Sequence, residues 1–234
     1  MQLPDNFLDN CRNLQQLMIF KNQLTQLPVN FLDNCRVLRT LNLFQNQLTQ
    51  LPDDFLNNCT ALQQLAIAYN QLAQLPVNFL DNCRVLRTLN LSQNQLAQLP
   101  DDFLNNCTAL QKLAIAHNQL TQLPANFLNN CVALTNIRLD NNQLMQLPDN
   151  FLSTSKKLNG LTLYANKLTR LPAKFLQHNI LLKELYLQDN PLPQGVIKQL
   201  WQQTPLTQRA MQTGEAKYPI YLQKDAQLQT QAGQ

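Results

Sequence analysis

A repeat of 24 residues runs through most of the chain and restricts it to one kind of architecture. Pro recurs at Pro4, Pro28, Pro52, Pro76, Pro100, Pro124, Pro148 and Pro172, and Asn recurs with the same step from Asn22 to Asn190. A fixed period of this size marks a stacked array, in which each unit buries its apolar face only against its neighbours. One elongated body follows for the 234 residues, rather than two globular domains.

Within residues 28–51, Leu38, Leu41 and Leu43 make the pattern L-x-x-L-x-L. Its second half alternates with period two, the mark of a short strand with one buried face. Asn46 follows, placed where the chain leaves the sheet. There its amide can bracket backbone groups of its own and adjacent turns that lack ladder partners. Pro28 suits the first turn of a short helix, and Asp53, Asp54, Asp101 and Asp102 sit where a helix N-terminus favours negative charge. Phe31, Cys35 and Leu38 are spaced by four and three, so a helix of one or two turns directs them at the core. Asn34 is placed to end that helix in a left-handed conformation.

The run Leu38-x-x-Leu41-x-Leu43-x-x-Asn46-x-Leu48 resembles leucine-rich repeats, over eight near-complete units in residues 3–192. The Leu-Pro step and the lack of Cys-rich caps look like leucine-rich effector proteins of intracellular bacteria. The resemblance implies an α/β solenoid: an arc with eight short parallel strands on the concave face, short helices or turns on the convex face, and a C-terminal capping helix. Residues 1–192 form the solenoid, 193–222 a helical cap and flank, and 223–234 a disordered tail. Cys35 stands where the familiar repeat carries Leu.

Cys11, Cys35, Cys59, Cys83, Cys107 and Cys131 share one repeat position, which repeats seven and eight fill with Ser155 and Asn179. A column of small, buried, reduced side chains is the simplest account, with disulfides or metal as the alternatives. Repeat one has no cap before it. If Met1 is the natural start, the core under Phe7, Leu14 and Ile19 faces solvent, and the strand near it is an edge open to self-association. At the other end Val196, Ile197, Leu200 and Trp201 share one helical face, placed to cover the last repeat. An apolar cluster at Tyr218, Ile220, Tyr221 and Leu222 can dock back on that cap.

Residues 28–75 are copied as 76–123 with five changes: Phe44 to Ser92, Thr49 to Ala97, Gln64 to Lys112, Tyr69 to His117 and Ala73 to Thr121. Three of these fall on positions that strand alternation directs to the concave side. The candidate partner-binding residues on that face are Phe20, Arg39, Asn42, Phe44, Tyr69, Arg87, Lys112, His117, Arg138, Tyr164 and Tyr186. Phe20, Phe44 and Tyr69 belong to consecutive repeats and make a short aromatic ridge; Tyr164 and Tyr186 form a second cluster. Exposed aromatics beside Arg have the composition of protein-interface anchors.

The remaining chemistry is sparse. Charged residues make up 14% of the chain, with net charge +4, too weak and dispersed for nucleic acid. No apolar run approaches the length that spans a bilayer, and the N-terminus has no basic or apolar signal-peptide region. His117 and His178 have no Cys or carboxylate at ligand spacing and read as solvated side chains, so no metal or cofactor is expected. No catalytic set is present. The acid-free stretch 150–183 carries Lys156, Lys157, Lys167, Arg170, Lys174 and Lys183, either a solvated face or a contact for an acidic partner or anionic lipid. A protein bound on the concave face is the expected partner, and the chain is expected to be non-enzymatic. Its location is cytoplasmic, or a host cell reached without a classical signal peptide. The alternative is the targeting part of an enzyme such as a ubiquitin ligase whose catalytic segment is absent; residues 193–234 carry no Cys.

Overall fold

The computed structural model describes residues 2–203 and 220–221. Each repeat contributes one three-residue strand: β1 (Gln16–Met18), β2 (Thr40–Asn42), β3 (Gln64–Ala66), β4 (Thr88–Asn90), β5 (Lys112–Ala114), β6 (Asn136–Arg138), β7 (Gly160–Thr162) and β8 (Glu184–Tyr186). They pair in chain order, all parallel, with a register step of 24, as in Leu41↔Leu65 and Leu89↔Leu113. Parallel neighbours need a crossover between them, and here the rest of each repeat is that crossover.

The middle residue of every strand from β2 to β8 is buried, and the flanking ones, Gly160 apart, are half-buried or exposed. The core is the continuous stack of Leu, Ile, Phe and Cys behind the sheet, with Leu38, Leu41, Leu43 and Leu48 at 0% exposure. Strand β1 has no neighbour on its outer side. Leu14, Leu17 and Ile19 are only half-buried there, and Phe7 is 42% exposed.

The convex side is made of turns, the second of the two forms expected there, and the one-to-two-turn helix read from Phe31, Cys35 and Leu38 does not form. Four i+3→i bonds follow one another in the fifth unit: Phe103 N to Pro100 O, Asn105 N to Asp102 O, Cys107 N to Leu104 O and Leu110 N to Cys107 O, at 3.0–3.1 Å. The helix-dipole role expected for the Asp pairs therefore has no helix to act on. Strand spacing explains the preference. Sheet neighbours lie about 4.8 Å apart, whereas packed helices need roughly 8–10 Å. The turns stack more tightly: the rings of Phe55, Phe79, Phe103, Phe127, Phe151 and Phe175 lie parallel at 6.3–6.5 Å. The outer side is thus longer per repeat than the sheet side, which curves the stack.

Asn34 does not take the left-handed conformation expected of it. That geometry falls on Leu56, Leu80, Leu104, Leu128, Leu152 and Leu176, with φ 61–74°, and on Asn30 in the second unit. A second left-handed series, Lys21, Gln45, Tyr69, Gln93, His117, Asn141, Ala165 and Asp189, ends each strand segment. Such residues carry roughly 1–2 kcal/mol of strain each, so they persist only where their surroundings over-determine them. The Asn position just after the second series does this. Asn94 Nδ2 donates to Ile67 O and Leu91 O, both at 3.0 Å, while its Oδ1 accepts from Leu72 N at 3.0 Å. Asn46 to Asn190 repeat the bracket; Asn22, with no turn before it, is exposed.

The Cys column is free and, from Cys35 on, buried; Cys11 is half-buried. Its side chains point to main-chain carbonyls of the preceding turn. Cys83 Sγ lies 3.9 Å from Cys59 O, Cys107 Sγ 3.8 Å from Cys83 O, and Cys131 Sγ 3.7 Å from Leu104 O. Ser155 Oγ donates to Cys131 O at 3.4 Å, and Asn179 Nδ2 to Ser155 O at 2.8 Å. The common property of Cys, Ser and Asn here is a compact donor, which explains why Leu does not stand in this position.

Helix α1 (Gln194–Gln203) closes the far end, with Ile197 and Leu200 buried and Val196 packed against the core. The Trp201 side chain and the expected disordered tail lie outside the described residues. Strand β9 (Ile220–Tyr221) adds a ninth member to the sheet by parallel pairing with β8. Eight strands were expected, and the ninth comes from the apolar cluster read as docking on the cap.

Candidate functional site

Two rows of side chains matter on the solvent side of the sheet. The first lies three residues beyond the buried strand centre: Phe20, Phe44, Ala68, Ser92, Ala116, Asp140 and Tyr164. The second is the left-handed series that follows it. Residues of the second row donate their N–H to the carbonyl of the first row one repeat on, as in Tyr69 N to Ser92 O at 3.0 Å. Side chains offset by 23 or 25 residues are thereby brought together.

Phe44 and Tyr69 meet in this way. Their rings form an edge-to-face pair with centroids 5.0 Å apart and planes at 61°. Tyr69 stays 50% exposed and Phe20, one repeat earlier in the row of Phe44, is 46% exposed. In the copied block the corresponding pair is Ser92 and His117. Ser92 Oγ accepts from Ala116 N at 3.2 Å, a main-chain role that Phe44 has no atom to play.

A polar cluster occupies the other part of the face, centred on Asp140, whose side chain is fully buried. Its carboxylate accepts from Arg138 Nε and Nη2, both at 3.3 Å, and from Asn141 Nδ2 at 3.2 Å. The Tyr164 hydroxyl is close enough to this carboxylate to feel its charge. The hydrogen bond to Asp140 raises the Arg138 guanidinium pKa further, so Arg138 stays charged. Partial burial, and then the charge of Asp140, push the Tyr164 hydroxyl up. His117 Nε2 lies 3.9 Å from Asp140 Oδ2 and 3.4 Å from Asn141 Nδ2.

His117 therefore is not the isolated solvated side chain expected from its sequence neighbours. Its carboxylate is supplied by the next repeat, a relation that ligand-spacing rules along the chain do not test. His178 is exposed. Tyr164 belongs to the Asp140 cluster, whereas Tyr186 sits one strand further on β8 in the row of Arg138 and Asn42. Strand alternation directs Asp140 and Asn141 to the concave side as well, although the shorter set of partner-binding residues leaves them out. Asp140 also breaks a row otherwise filled by Phe, Ala, Ser and Tyr.

Carboxylates are sorted between the two sides of the array, whereas the turns also carry Arg12, Arg36 and Arg84. In residues 1–147, Asp5, Asp9, Asp33, Asp53, Asp54, Asp81, Asp101 and Asp102 all lie in the turns, and only Asp140 belongs to the sheet side. The sheet side carries Lys21, Arg39, Arg87, Lys112 and Arg138, all exposed. An open groove along the Leu-Pro edge, lined among others by Asp101, Asp149 and Arg170, mixes both signs and lies apart from this face. The basic side chains at 156, 157, 167, 170, 174 and 183 are all exposed outside the strands.

Among the described residues, no group of His, Cys, Asp and Glu could hold a metal ion, and no helix is long and apolar enough to cross a membrane.

Comparison with known proteins places this geometry. No curated protein sequence matches the chain. A leucine-rich repeat protein of Leptospira interrogans superposes with TM-score 0.71 at 27% identity, covering 83% of this chain and 54% of that one. Toll, in the Toll–Spätzle complex of Drosophila, gives 0.63 at 26% identity, covering 81% and 28%. YopM, a leucine-rich effector protein from Yersinia pestis, gives 0.59 at 32% identity, covering 74% and 42%. The chain thus spans about half or less of the length of these structures. The leucine rich repeat family model matches residues 12–72, 36–96 and 84–144, which together exceed half of the sequence. With this coverage, the 24-residue register and the Asn bracket in hand, the chain belongs to the leucine-rich repeat family.

Proposed function

We propose that the chain is a non-enzymatic protein-binding module whose concave sheet face is the contact surface. Leucine-rich repeats generally serve as protein-binding scaffolds, and Toll is seen in complex with Spätzle. The observation that carries the choice of face is the Phe44–Tyr69 pair. Two rings are stacked edge to face on the solvent side of a sheet, with the hydrophobic core already filled behind them. Aromatic side chains and Arg on one face are the usual anchors of a protein interface, and Arg39 stands on the other edge of the same sheet. Asp140 holds Arg138 as a preset fork at the other end of the same face.

The likeness to the YopM effector supports a further part of the reading: the module acts on host proteins as an exported effector. Nothing in the structure favours the enzyme-targeting alternative over this one.

Replacing Phe44 and Tyr69 together by Ala is expected to weaken capture of a protein partner from host cytosol by about 100-fold or more. Both rings lie outside the core, so thermal unfolding should remain cooperative and close to that of the parent. Capture at parental strength by the folded double variant would sink this choice of face.

A further inference from the structure

We propose that the concave face selects an acidic polypeptide segment, one that presents carboxylates on one edge and an apolar side chain on the other. The proposal rests on the concave face being the contact surface and adds the chemistry of what it contacts.

The sorting of carboxylates is its first ground. Among the described residues, no carboxylate lies within ion-pair distance of Arg39, Arg87 or Lys112, although the same repeats carry Asp in their turns. The single sheet-side carboxylate of residues 1–147, Asp140, is buried and already bonded to Arg138. The exposed cations thus face solvent with no internal neutraliser, while the acids of their own repeats lie in the turns; the exposed sheet-side acids Glu184 and Asp189 belong to repeat eight. Such a face attracts anionic partners and repels cationic ones before any contact forms.

The layout of the face is the second ground. Arg39, Arg87 and Lys112 stand where strands β2, β4 and β5 begin, over about 14 Å of arc at sheet spacing. Phe44 and Tyr69 stand where the strand segments end, about 16 Å away along the strand direction. Between the two edges the register aligns Asn42, Ala66, Asn90 and Ala114, a floor of small side chains. An extended chain lying along that floor sends alternate side chains to opposite edges, acids to one and an apolar group to the other. Single-stranded nucleic acid fits this layout less well, because its binding sites interleave cations with stacking rings rather than parting them.

The test uses the full chain and short fluorescent peptides at low salt, with anisotropy as the readout. The peptides are Glu/Ser with one Phe, Glu/Ser without Phe, and Lys/Ser with one Phe; a single-stranded oligouridylate is the nucleic-acid arm. The Glu/Ser/Phe peptide is expected to bind, and to weaken as salt rises. The Arg39→Glu/Arg87→Glu/Lys112→Glu variant should lose at least about tenfold in affinity for both Glu peptides. All three side chains are exposed, and circular dichroism confirms that the variant folds. The Phe44→Ala/Tyr69→Ala variant should bind the Phe-bearing peptide no better than the Phe-free one.

Equal binding of the Lys peptide, undiminished binding by the charge-reversed variant, or no binding of either Glu peptide overturns the proposal. So does an oligouridylate that displaces the Glu/Ser/Phe peptide. If a captured protein partner depends on Phe44 and Tyr69 but not on the three cations, the acidic-partner inference falls while the choice of face stands. If it depends on neither set, the choice of face falls as well.

Discussion

Asn94 closes one turn of this array with a single amide. It joins the carbonyls of Ile67 and Leu91 to the N–H of Leu72, three backbone groups from two repeats that the sheet does not reach. Each group left unpaired in the interior costs about 1–3 kcal/mol. Asn94→Ala is therefore expected to lower unfolding stability by about 3 kcal/mol, read as a fall in the urea midpoint. A loss below about 1 kcal/mol would mean that water replaces the bracket. Asp140 illustrates the opposite use of a buried polar group. Its bonds run to side chains rather than to the main chain, so it organises Arg138 and Asn141 without supporting the repeat itself.

At the scale of the element, the convex turn and the Cys column are one device. The chained turns leave main-chain carbonyls facing the next repeat, and the compact donor at the column position points to them. Enclosure has a consequence for pH. Burial pushes the Cys131 thiol from its ordinary value of 9.0 up to about 12, and burial followed by the charge of Asp81 does the same for Cys83. The folded state then holds protons that the unfolded chain releases, so the contribution is intact below the unfolded value and declines as pH climbs toward about 12. Ser occupies the same position in repeat seven. A Cys83→Ser/Cys131→Ser variant should therefore lose less stability than the parent between pH 8.5 and 10.5, by about 1–2 kcal/mol per pH unit. Urea midpoints measured across that range check it, and parallel pH profiles for the two proteins would count against the buried-thiol column.

For the whole molecule, stability is a sum along one dimension, because each repeat touches only its neighbours. The ends then matter more than in a globular domain. Ile197 and Leu200 of α1 cover the last repeat, and Asp at both positions places charge against that apolar surface. The expected result is a local loss of about 3 kcal/mol, confined to the C-terminal repeats. In hydrogen exchange, amides of Leu163 and Leu187 should lose protection while those of Leu43 and Ile67 keep theirs. Uniform loss along the chain would show that the array unfolds as one unit instead. The same linear build spreads the sheet over eight repeats, which gives the concave face room for an aromatic part and a polar part.

The 24-residue period alone determined the stack, the parallel register, the Leu core, the Asn bracket and the burial of Cys, because periodic spacing dictates which residues share a row. It also placed Phe44, Tyr69, Arg138 and Tyr164 on the sheet face through strand alternation. Tertiary structure decided the rest. Of the two convex forms expected, turns were selected because stacked units at 6.3–6.5 Å leave no room for helix packing, and the left-handed residue is Leu in most repeats rather than Asn34. The contact of Phe44 with Tyr69 and the approach of His117 to Asp140 depend on offsets of 25 and 23 residues. A period of 24 puts such residues in adjacent turns, but only the curvature of the stack and the lean of each side chain bring them together.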